Sequence, residues 1–269
     1  MTIKVCVLGS GSSGNCTAIW TKNESLLVDC GRLGEGYVIN HLKNLNISLK
    51  NVKGIIISHG HSDHIDQTTI RIAKRYQIPI YIHPETYQVI KNRYDDLSDL
   101  EDLNLLSFHT NDNFQVGEFN IEPFNIHHSS GYAGKPFGFC IDYAGRKIGH
   151  LTDTGKIDNT MAKTLSGSML VVLEANHQKN LVRKSKRHWA NKNWILSDSG
   201  HLSNKVAAEL IQKISGSRNC LKHVFLAHIS EDHNTIPEAI KQVSQIIDNN
   251  EIKILPTFHD RPSMVINVD

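Results

Sequence analysis

Residues 58–64 read Ser58-His59-Gly60-His61-Ser62-Asp63-His64, so that four metal-binding side chains fall within six residues in the order His-x-His-x-Asp-His. The preceding residues, 52–57, are apolar and rich in β-branched side chains, which predicts a buried strand. The carboxyl ends of such strands are where α/β folds build their sites. Imidazole and carboxylate ligands suit zinc, manganese or iron, and ligands this closely spaced cannot close one tetrahedron without strain. We therefore expect the cluster to divide its ligands between two ions, an arrangement typical of hydrolysis.

The cluster and four other motifs together carry a family resemblance. His-x-His-x-Asp-His resembles the signature of the metallo-β-lactamase superfamily, and the other motifs resemble those of its YycJ (WalJ) branch. They are Gly9-Ser10-Gly11-Ser12-Ser13-Gly14-Asn15, Leu173-Glu174-Ala175-Asn176-His177, Ile195-Leu196-Ser197-Asp198-Ser199-Gly200-His201-Leu202-Ser203-Asn204 and Leu226-Ala227-His228-Ile229-Ser230-Glu231. The resemblance implies a four-layer αββα sandwich with the metal site at one edge between the two sheets.

Length and composition are those of a globular protein. The chain has 269 residues, of which 39% are hydrophobic, and this is enough for a sizeable core. No linker, low-complexity tract or repeat interrupts it, and the motifs run through most of its length, so we expect one domain over residues 1–269. The chain shows no leader and no apolar run of membrane-spanning length, which predicts a soluble cytoplasmic protein.

Hydrophobic periodicity predicts an α/β protein with mixed sheets, because some strands come in sequential pairs and others alternate with helices. Helices are predicted near 35–45, 67–77, 84–93, 157–165, 203–215 and 235–248. Strands are predicted near 3–8, 15–21, 25–30, 53–57, 79–83, 119–127, 137–143, 146–151, 168–174, 222–228, 252–256 and 263–268.

The glycine-rich loop at residues 9–14 superficially matches a dinucleotide-binding fingerprint. The residues after it, 16–21, are β-branched and aromatic, so they predict a strand in place of the helix that would hold a pyrophosphate. In YycJ-like proteins this loop lies beside the metals, where its N–H groups could contact a phosphate. A purely structural glycine turn is an equal alternative.

The remaining ligands are implied by the resemblance, since one loop cannot supply two ions. His128, Asp153 and His228 each follow a predicted strand and match the family's ligand positions, Asp153 as the carboxylate that bridges both metals. The adjacent His127 leaves the first of these uncertain by one residue. The resulting metal ligands are His59, His61, Asp63, His64, His128, Asp153 and His228.

We assign His59, His61, His128 and Asp153 to one ion, and Asp63, His64, Asp153 and His228 to the other. The ions would be zinc or manganese, and a hydroxide held between them would be the nucleophile. We expect Asp63 to be catalytic as well, by orienting or deprotonating that water. Related redox proteins with a di-iron centre usually place Glu at the position of His61, so hydrolysis is favoured over electron transfer.

His201 has a different predicted role. Its Gly-His motif and the later His-x-Ser at His228 resemble those of phosphodiester-cleaving members of the superfamily, in which this His faces the substrate. His201 could therefore protonate a leaving alkoxide, a role suited to imidazole; a structural cap is the alternative. Asp29 is expected to bond a ligand imidazole, and Asn176 and His177 to line the pocket.

The net charge of +2 does not itself indicate an anionic partner, but one segment concentrates positive charge. Residues 178–194 contain no acid and interleave Trp189 and Trp194 with basic side chains, which could bind phosphates while the rings stack on bases. The alternative is a solvated helix whose two Trp side chains face the core. The basic residues are Lys179, Arg183, Lys184, Lys186, Arg187 and Lys192.

Three functions are compatible with these features. The resemblance implies a metal-dependent DNA exonuclease, which the basic segment supports. A hydrolase of a cyclic phosphodiester, thioester or lactone would need the same metals without a basic track, and a non-catalytic regulatory protein would need only the metals. The sequence leaves open the native metal, DNA against RNA, the polarity of cleavage and the oligomeric state.

Overall fold

The fold is seen in a computed structural model that describes residues 2–94, 96–129, 132–216 and 220–269. The strands are β1 Ile3–Gly9, β2 Cys16–Trp20, β3 Ser25–Val28, β4 Val52–Ile56, β5 Ile80–Ile82, β6 Leu106–Phe108, β7 Phe114–Val116, β8 Phe119–Asn125, β9 Phe137–Tyr143, β10 Arg146–Leu151, β11 Leu170–Glu174, β12 His223–Ala227, β13 Lys253–Pro256 and β14 Ile266–Val268. The helices are α1 Glu35–Asn44, α2 Gln67–Tyr76, α3 Pro84–Ile90, α4 Leu97–Asp102, α5 Asn159–Leu165, α6 Lys179–Lys184, α7 Trp189–Ile195, α8 Asn204–Ser215 and α9 Ile236–Ile246, with a 3₁₀ turn at Leu49–Asn51.

The strands form two mixed sheets of seven strands each, in the orders β14-β1-β2-β3-β4-β5-β6 and β13-β12-β11-β10-β9-β8-β7. In the first sheet β3, β4, β5 and β6 run parallel, and in the second β10, β11, β12 and β13 do. The other pairs are antiparallel. As a result β3 and β4 in one sheet, and β8, β10, β11 and β12 in the other, each end at a common edge of their sheet.

Alternation along the strands shows how the sheets are layered. Val5 and Val7 of β1 face a core that also holds Val172 of β11, so this core lies between the sheets. Their neighbour Leu8 packs with α1 and α2, whereas Leu173 packs with α8 and α9. Alternate side chains of the strands thus pack into three cores, one between the sheets and one between each sheet and its helices. The expected four-layer αββα sandwich is confirmed.

Each predicted strand and helix has a counterpart among the described residues, including the strand β4 before the His-rich stretch. The prediction missed β6, β7, α4, α6 and α7, all of which are short, with three to seven residues. Strand β2 follows the glycine-rich loop directly, which confirms that no dinucleotide-binding helix begins there. Among the described residues, no helix combines the length and the apolar character needed to cross a membrane.

Candidate metal centre

The candidate site is assembled from residues that follow strand ends of both sheets. Among the side chains that converge there, His61 and Asp63 are partly exposed, and the others are buried: Asp29, His59, His64, His128, Asp153, Glu174 and His228. The first sheet contributes Asp29 after β3 and the His-rich loop after β4. The second contributes His128 after β8, Asp153 after β10, Glu174 at the end of β11 and His228 after β12.

Three imidazoles form one donor cluster. Nδ1 of His61 lies 2.9 Å from Nε2 of His59 and 3.3 Å from Nε2 of His128. The outer nitrogens of the last two rings are held from behind: Nδ1 of His59 lies 3.0 Å from the Ser58 hydroxyl, and Nδ1 of His128 lies 3.1 Å from the Gly200 carbonyl. Such outer contacts fix ring orientation in metal sites.

Two imidazoles and two carboxylates form the adjoining cluster. Oδ2 of Asp63 lies 3.5 Å from Nε2 of His64 and 3.6 Å from Nε2 of His228. Asp153 reaches both rings, with Oδ2 3.2 Å from Nε2 of His64 and Oδ1 3.6 Å from Nε2 of His228. Since Asp153 also groups with His59, its carboxylate stands between the two clusters.

The charges of these groups favour cations. Burial lowers the pKa of His59 well below its ordinary value and that of His61 to about 4, so both rings are neutral at neutral pH. Burial alone would raise the pKa of Asp153, but His228 and His64 outweigh it and hold that pKa well below its usual range. Burial lowers the pKa of His228, but the neighbouring Asp153 and Asp63 outweigh it and raise that pKa to about 9. Without a metal ion, protonated His228 therefore balances part of the carboxylate charge.

Unpaired atoms at the centre test whether the residues fit metal ions. Oδ2 of Asp153 and Nε2 of His228 are buried, and among the described residues neither has a hydrogen-bond partner of acceptable geometry. Buried polar atoms without partners are costly, and converging imidazole nitrogens with carboxylates are the donor set of divalent transition metals. The cluster therefore fits divalent metal ions.

His128, not His127, lies in the donor cluster. Nε2 of His127 lies 2.8 Å from the carboxylate of Asp158 near the surface, whereas His128 faces His61. The two adjacent side chains therefore point to different surroundings, and only His128 reaches the proposed ligands.

Asp29 makes the contact predicted for it. Its Oδ2 accepts a hydrogen bond from Nδ1 of His64 at 2.8 Å and from the Ser58 hydroxyl at 2.8 Å. Asp29, Asp153 and His228 all have left-handed backbone conformations, with φ of 57°, 58° and 51°. Such conformations cost about 1–3 kcal/mol each in residues other than glycine and cluster at functional sites.

Glu174 is a site residue that the sequence analysis did not assign. Its buried carboxylate accepts hydrogen bonds from Nδ1 of His201 at 2.7 Å, from the backbone N–H of Thr154 at 2.9 Å and from that of Leu202 at 3.1 Å. In the sequence, Glu174 could have been noticed as a carboxylate that ends an otherwise apolar strand. The structure adds that this strand lies between β10 and β12, which precede Asp153 and His228.

His201 lines a cleft beside the clusters. Its ring stacks on that of His228 with centroids 5.1 Å apart, and Trp194 contacts it edge to face at 5.1 Å. The cleft has a volume of about 230 Å³. Asn176 lines it as predicted, whereas His177 is buried and does not. The other lining residues are Ser12, Arg187, Ile195, Ile229, Ser230, Glu231, Asp232, His233 and His259.

The glycine-rich loop lies beside the clusters. Asn15 at its end places Nδ2 3.2 Å from Oδ2 of Asp63 and 3.1 Å from Nε2 of His64, and Ser12 lines the cleft. The loop thus has a structural role at the site, and a contact between its N–H groups and a phosphate stays a prediction.

The basic segment reaches the cleft through Arg187 and through the end of α7. Trp189 is 67% exposed and Trp194 is 36% exposed, so the alternative in which both rings face the core is wrong. Arg187 forms an ion pair with Asp232, although the segment itself has no acid. Trp194 donates from Nε1 to the Ser129 carbonyl at 3.1 Å and so stands at the edge of the site.

Sequence comparisons place these features in a family. The sequence profile described as the β-lactamase superfamily domain matches residues 25–224. The chain is 30% identical to exodeoxyribonuclease YycJ of Bacillus anthracis, over 97% of this chain and 96% of the relative. It is 31% identical to exodeoxyribonuclease WalJ of Streptococcus pneumoniae, over 93% of this chain and 88% of the relative.

Structure comparisons agree on the fold. The metallo-β-lactamase fold protein YhfI from Bacillus subtilis superposes with a TM-score of 0.72 at 16% identity, covering 99% of each chain. The short form of human tRNase Z superposes with a TM-score of 0.63 at 18% identity, also covering 99% of each. At these identities the likeness shows the fold alone. Taken with the sequence matches, it shows that this chain belongs to the metallo-β-lactamase superfamily, in its YycJ (WalJ)-like branch.

Proposed function

We propose that this chain is a divalent-metal-dependent nuclease that removes nucleotides from the ends of DNA. The observation that carries the proposal is the pair of adjoining donor clusters, with Asp153 between them, beside the cleft lined by His201. Two adjacent cation sites beside an imidazole are suited to the displacement at a phosphodiester. The DNA substrate further implies a cytoplasmic location.

DNA and exonucleolytic action are supported by the relatives, two of which are named exodeoxyribonucleases. The exposed basic segment independently supports a nucleic-acid substrate, because Arg183, Lys184 and Lys186 are exposed and make no ion pair within the described residues. Cations of this kind bind phosphates without regard to base sequence.

One ion would be held by His59, His61, His128 and Asp153, and the other by Asp63, His64, His228 and Asp153, with zinc or manganese as the candidates. When bound, such ions lower the pKa of a coordinated water and neutralise charge that develops on the phosphate.

The chain's own groups complete the chemistry. Glu174 holds Nδ1 of His201, so Nε2 is the nitrogen left to donate a proton to the leaving oxygen. Asp63, whose Oδ2 accepts from Nδ2 of Asn15 at 3.2 Å, is partly exposed and would orient the attacking water. Trp194 would exclude water from one side of the leaving group.

The test is an assay on end-labelled double-stranded and single-stranded DNA and on a chromogenic phosphodiester, after reconstitution with manganese or zinc. We expect metal-dependent release of short products from DNA ends and no activity from Asp63→Asn. Asp102→Asn, at the end of α4, is the control for loss of a carboxylate. DNA left intact by a metal-loaded enzyme that cleaves the chromogenic substrate would contradict the nuclease proposal.

A small-molecule hydrolase is the second candidate, and the cleft favours it. Typical pockets for drug-sized ligands have roughly 300–1,000 Å³. The cleft, at about 230 Å³, has room for a more compact substrate such as a cyclic phosphodiester. The same assay separates the two functions, because a compact-substrate enzyme would act on the small phosphodiester and leave DNA intact.

A further inference from the structure

Arg93 and Tyr132 lie together on the side of the donor clusters away from the cleft. The cleft adjoins the ends of β1, β12 and β13, whereas Arg93 follows α3 beyond β5 and Tyr132 follows β8. In each sheet the strands that carry metal-binding side chains lie between these two regions or at their border. The pair therefore borders the donor clusters on the side of β5 and β8, away from the ends of β1, β12 and β13 that adjoin the cleft.

The pair is anchored to the His-rich loop. NH1 of Arg93 donates a hydrogen bond to the Gly60 carbonyl at 2.7 Å, one residue before His61. The guanidinium lies 5.4 Å from the centroid of the Tyr132 ring and 5.8 Å from that of Tyr94. Backbone contacts hold the same two segments together, since Gly60 donates to the Ala133 carbonyl at 2.8 Å.

A structural role alone does not account for the pair. Bracing the Gly60 carbonyl requires only one donor, yet Tyr132, whose ring lies beside the guanidinium, is 67% exposed as a residue. No carboxylate within the described ranges lies at ion-pair distance from Arg93, nor from Lys91 or Lys135 nearby in the chain on the same side. An oriented guanidinium and an exposed ring next to a phosphodiester site form a combination that recognises nucleotides.

We propose that Arg93 and Tyr132 form a nucleotide-binding subsite, in which the guanidinium pairs with a backbone phosphate and the tyrosine ring stacks on a base. The proposal rests on the proposed nuclease function and adds the path of the DNA strand across the site. A single strand would be held by the basic segment on one side of the scissile bond and by this pair on the other. Bidentate pairing of guanidinium with phosphate and stacking of bases on aromatic rings supply the affinity.

The test compares Tyr132→Ala, Tyr132→Phe and Arg93→Gln with the parent. Phe108→Ala removes an exposed ring from the edge strand β6, and Arg71→Gln removes an exposed guanidinium from α2, so they serve as matched controls. The measurements are metal content, Kd for a fluorescent phosphorothioate single strand at several salt concentrations, and kcat/KM on DNA and on a chromogenic phosphodiester.

We expect Tyr132→Ala to raise Kd about fivefold or more, and Tyr132→Phe to restore most of that affinity, because stacking needs the ring and not the hydroxyl. Arg93→Gln should also raise Kd and lower the logarithmic salt slope by about 0.7, the value for one phosphate contact on a single strand. In both variants the loss on DNA should exceed the loss on the chromogenic substrate.

An unchanged Kd in Tyr132→Ala and Arg93→Gln, or a loss equal to that in the controls, would overturn the subsite. Equal losses on DNA and on the chromogenic substrate, or loss of metal, would assign the pair to support of the Gly60 loop and overturn it also. The parent decides the proposed function separately: a parent that neither binds nor cleaves DNA refutes both proposals, whereas an active parent with unaffected variants refutes the subsite alone.

Discussion

Nδ1 of His201 lies 2.7 Å from Oε1 of Glu174, a carboxylate with no exposed surface. The same carboxylate holds the backbone N–H groups of Thr154 and Leu202, which follow Asp153 and His201. Glu174 therefore ties the position of the proposed proton donor to that of the carboxylate shared by the two clusters.

His201→Ala should keep its metal and lose rate. In the proposed mechanism the side chain donates a proton and is not a required ligand of either ion, so the chemical step should slow about 10²–10⁴-fold, as for the loss of a general acid. Single-turnover cleavage and elemental analysis check this. Loss of metal in the variant would make His201 a ligand instead.

Glu174→Gln should lower kcat with little change in KM. The amide keeps an oxygen for the two backbone donors but loses the charge that holds the His201 ring, and outer partners of this kind affect activity about 10–100-fold. Steady-state kinetics on DNA measure kcat and KM separately and so check this prediction. A rise in KM at unchanged kcat would show that Glu174 acts on substrate binding.

The saturated protein should bind two divalent ions per chain, because the proposed donors form two adjoining sets, with Asp153 close to His59, His64 and His228. Asp63→Asn and His64→Ala should each abolish turnover and leave the fold intact, since their loss empties or misaligns one ion without opening the core. Elemental analysis after zinc or manganese loading gives the stoichiometry, and circular dichroism checks the fold. A saturated parent that stays at one ion would refute the dinuclear assignment.

The convergence of the proposed ligands could be predicted because the family resemblance marked positions that follow predicted strands, and parallel strand ends meet at one edge. The assignment of His128 over His127 needed the structure, since either residue follows the same strand. Glu174 was visible as a carboxylate ending an apolar run, but its partner His201 lies 27 residues away in the chain, and no local pattern reports that contact. Tyr132 lies in a connecting segment, where periodicity carries no information, and Arg93 stood at the end of a predicted helix that ends at Ile90 in the structure.

His177 should make the protein sensitive to acid. Burial lowers its pKa to about 3, below the ordinary 6.5, and neither ring nitrogen has a hydrogen-bond partner within the described residues. Between those values the ring is neutral in the folded protein and protonated in the unfolded chain, so the unfolded chain binds more protons and stability falls as pH falls through this window.

His177→Asn should therefore lose less stability than the parent between pH 7 and pH 4, by about 1–3 kcal/mol. Urea unfolding of the metal-free proteins at several pH values measures the difference. His41→Asn, on α1, controls for loss of an imidazole. Parallel pH curves for the parent and His177→Asn would contradict the prediction.

Neutralising the basic segment separates a nuclease from an enzyme for compact substrates. We choose Arg183→Gln, Lys184→Gln and Lys186→Gln together, and leave Arg187 in place because its guanidinium pairs with Asp232. Each lost phosphate contact lowers the logarithmic salt slope by about 0.9 on duplex DNA, so DNA binding should weaken and its slope flatten by up to about 2.7.

The matched control removes three exposed lysines from the opposite end of the first sheet, Lys22, Lys43 and Lys50. Its net charge changes by the same amount, so long-range attraction of DNA falls equally in both variants. A greater loss in the segment variant means that these side chains touch the strand. Equal losses on DNA and on a chromogenic phosphodiester would instead mean that α6 and α7 support the fold of the cleft, and an unchanged salt slope would place the DNA elsewhere on the surface.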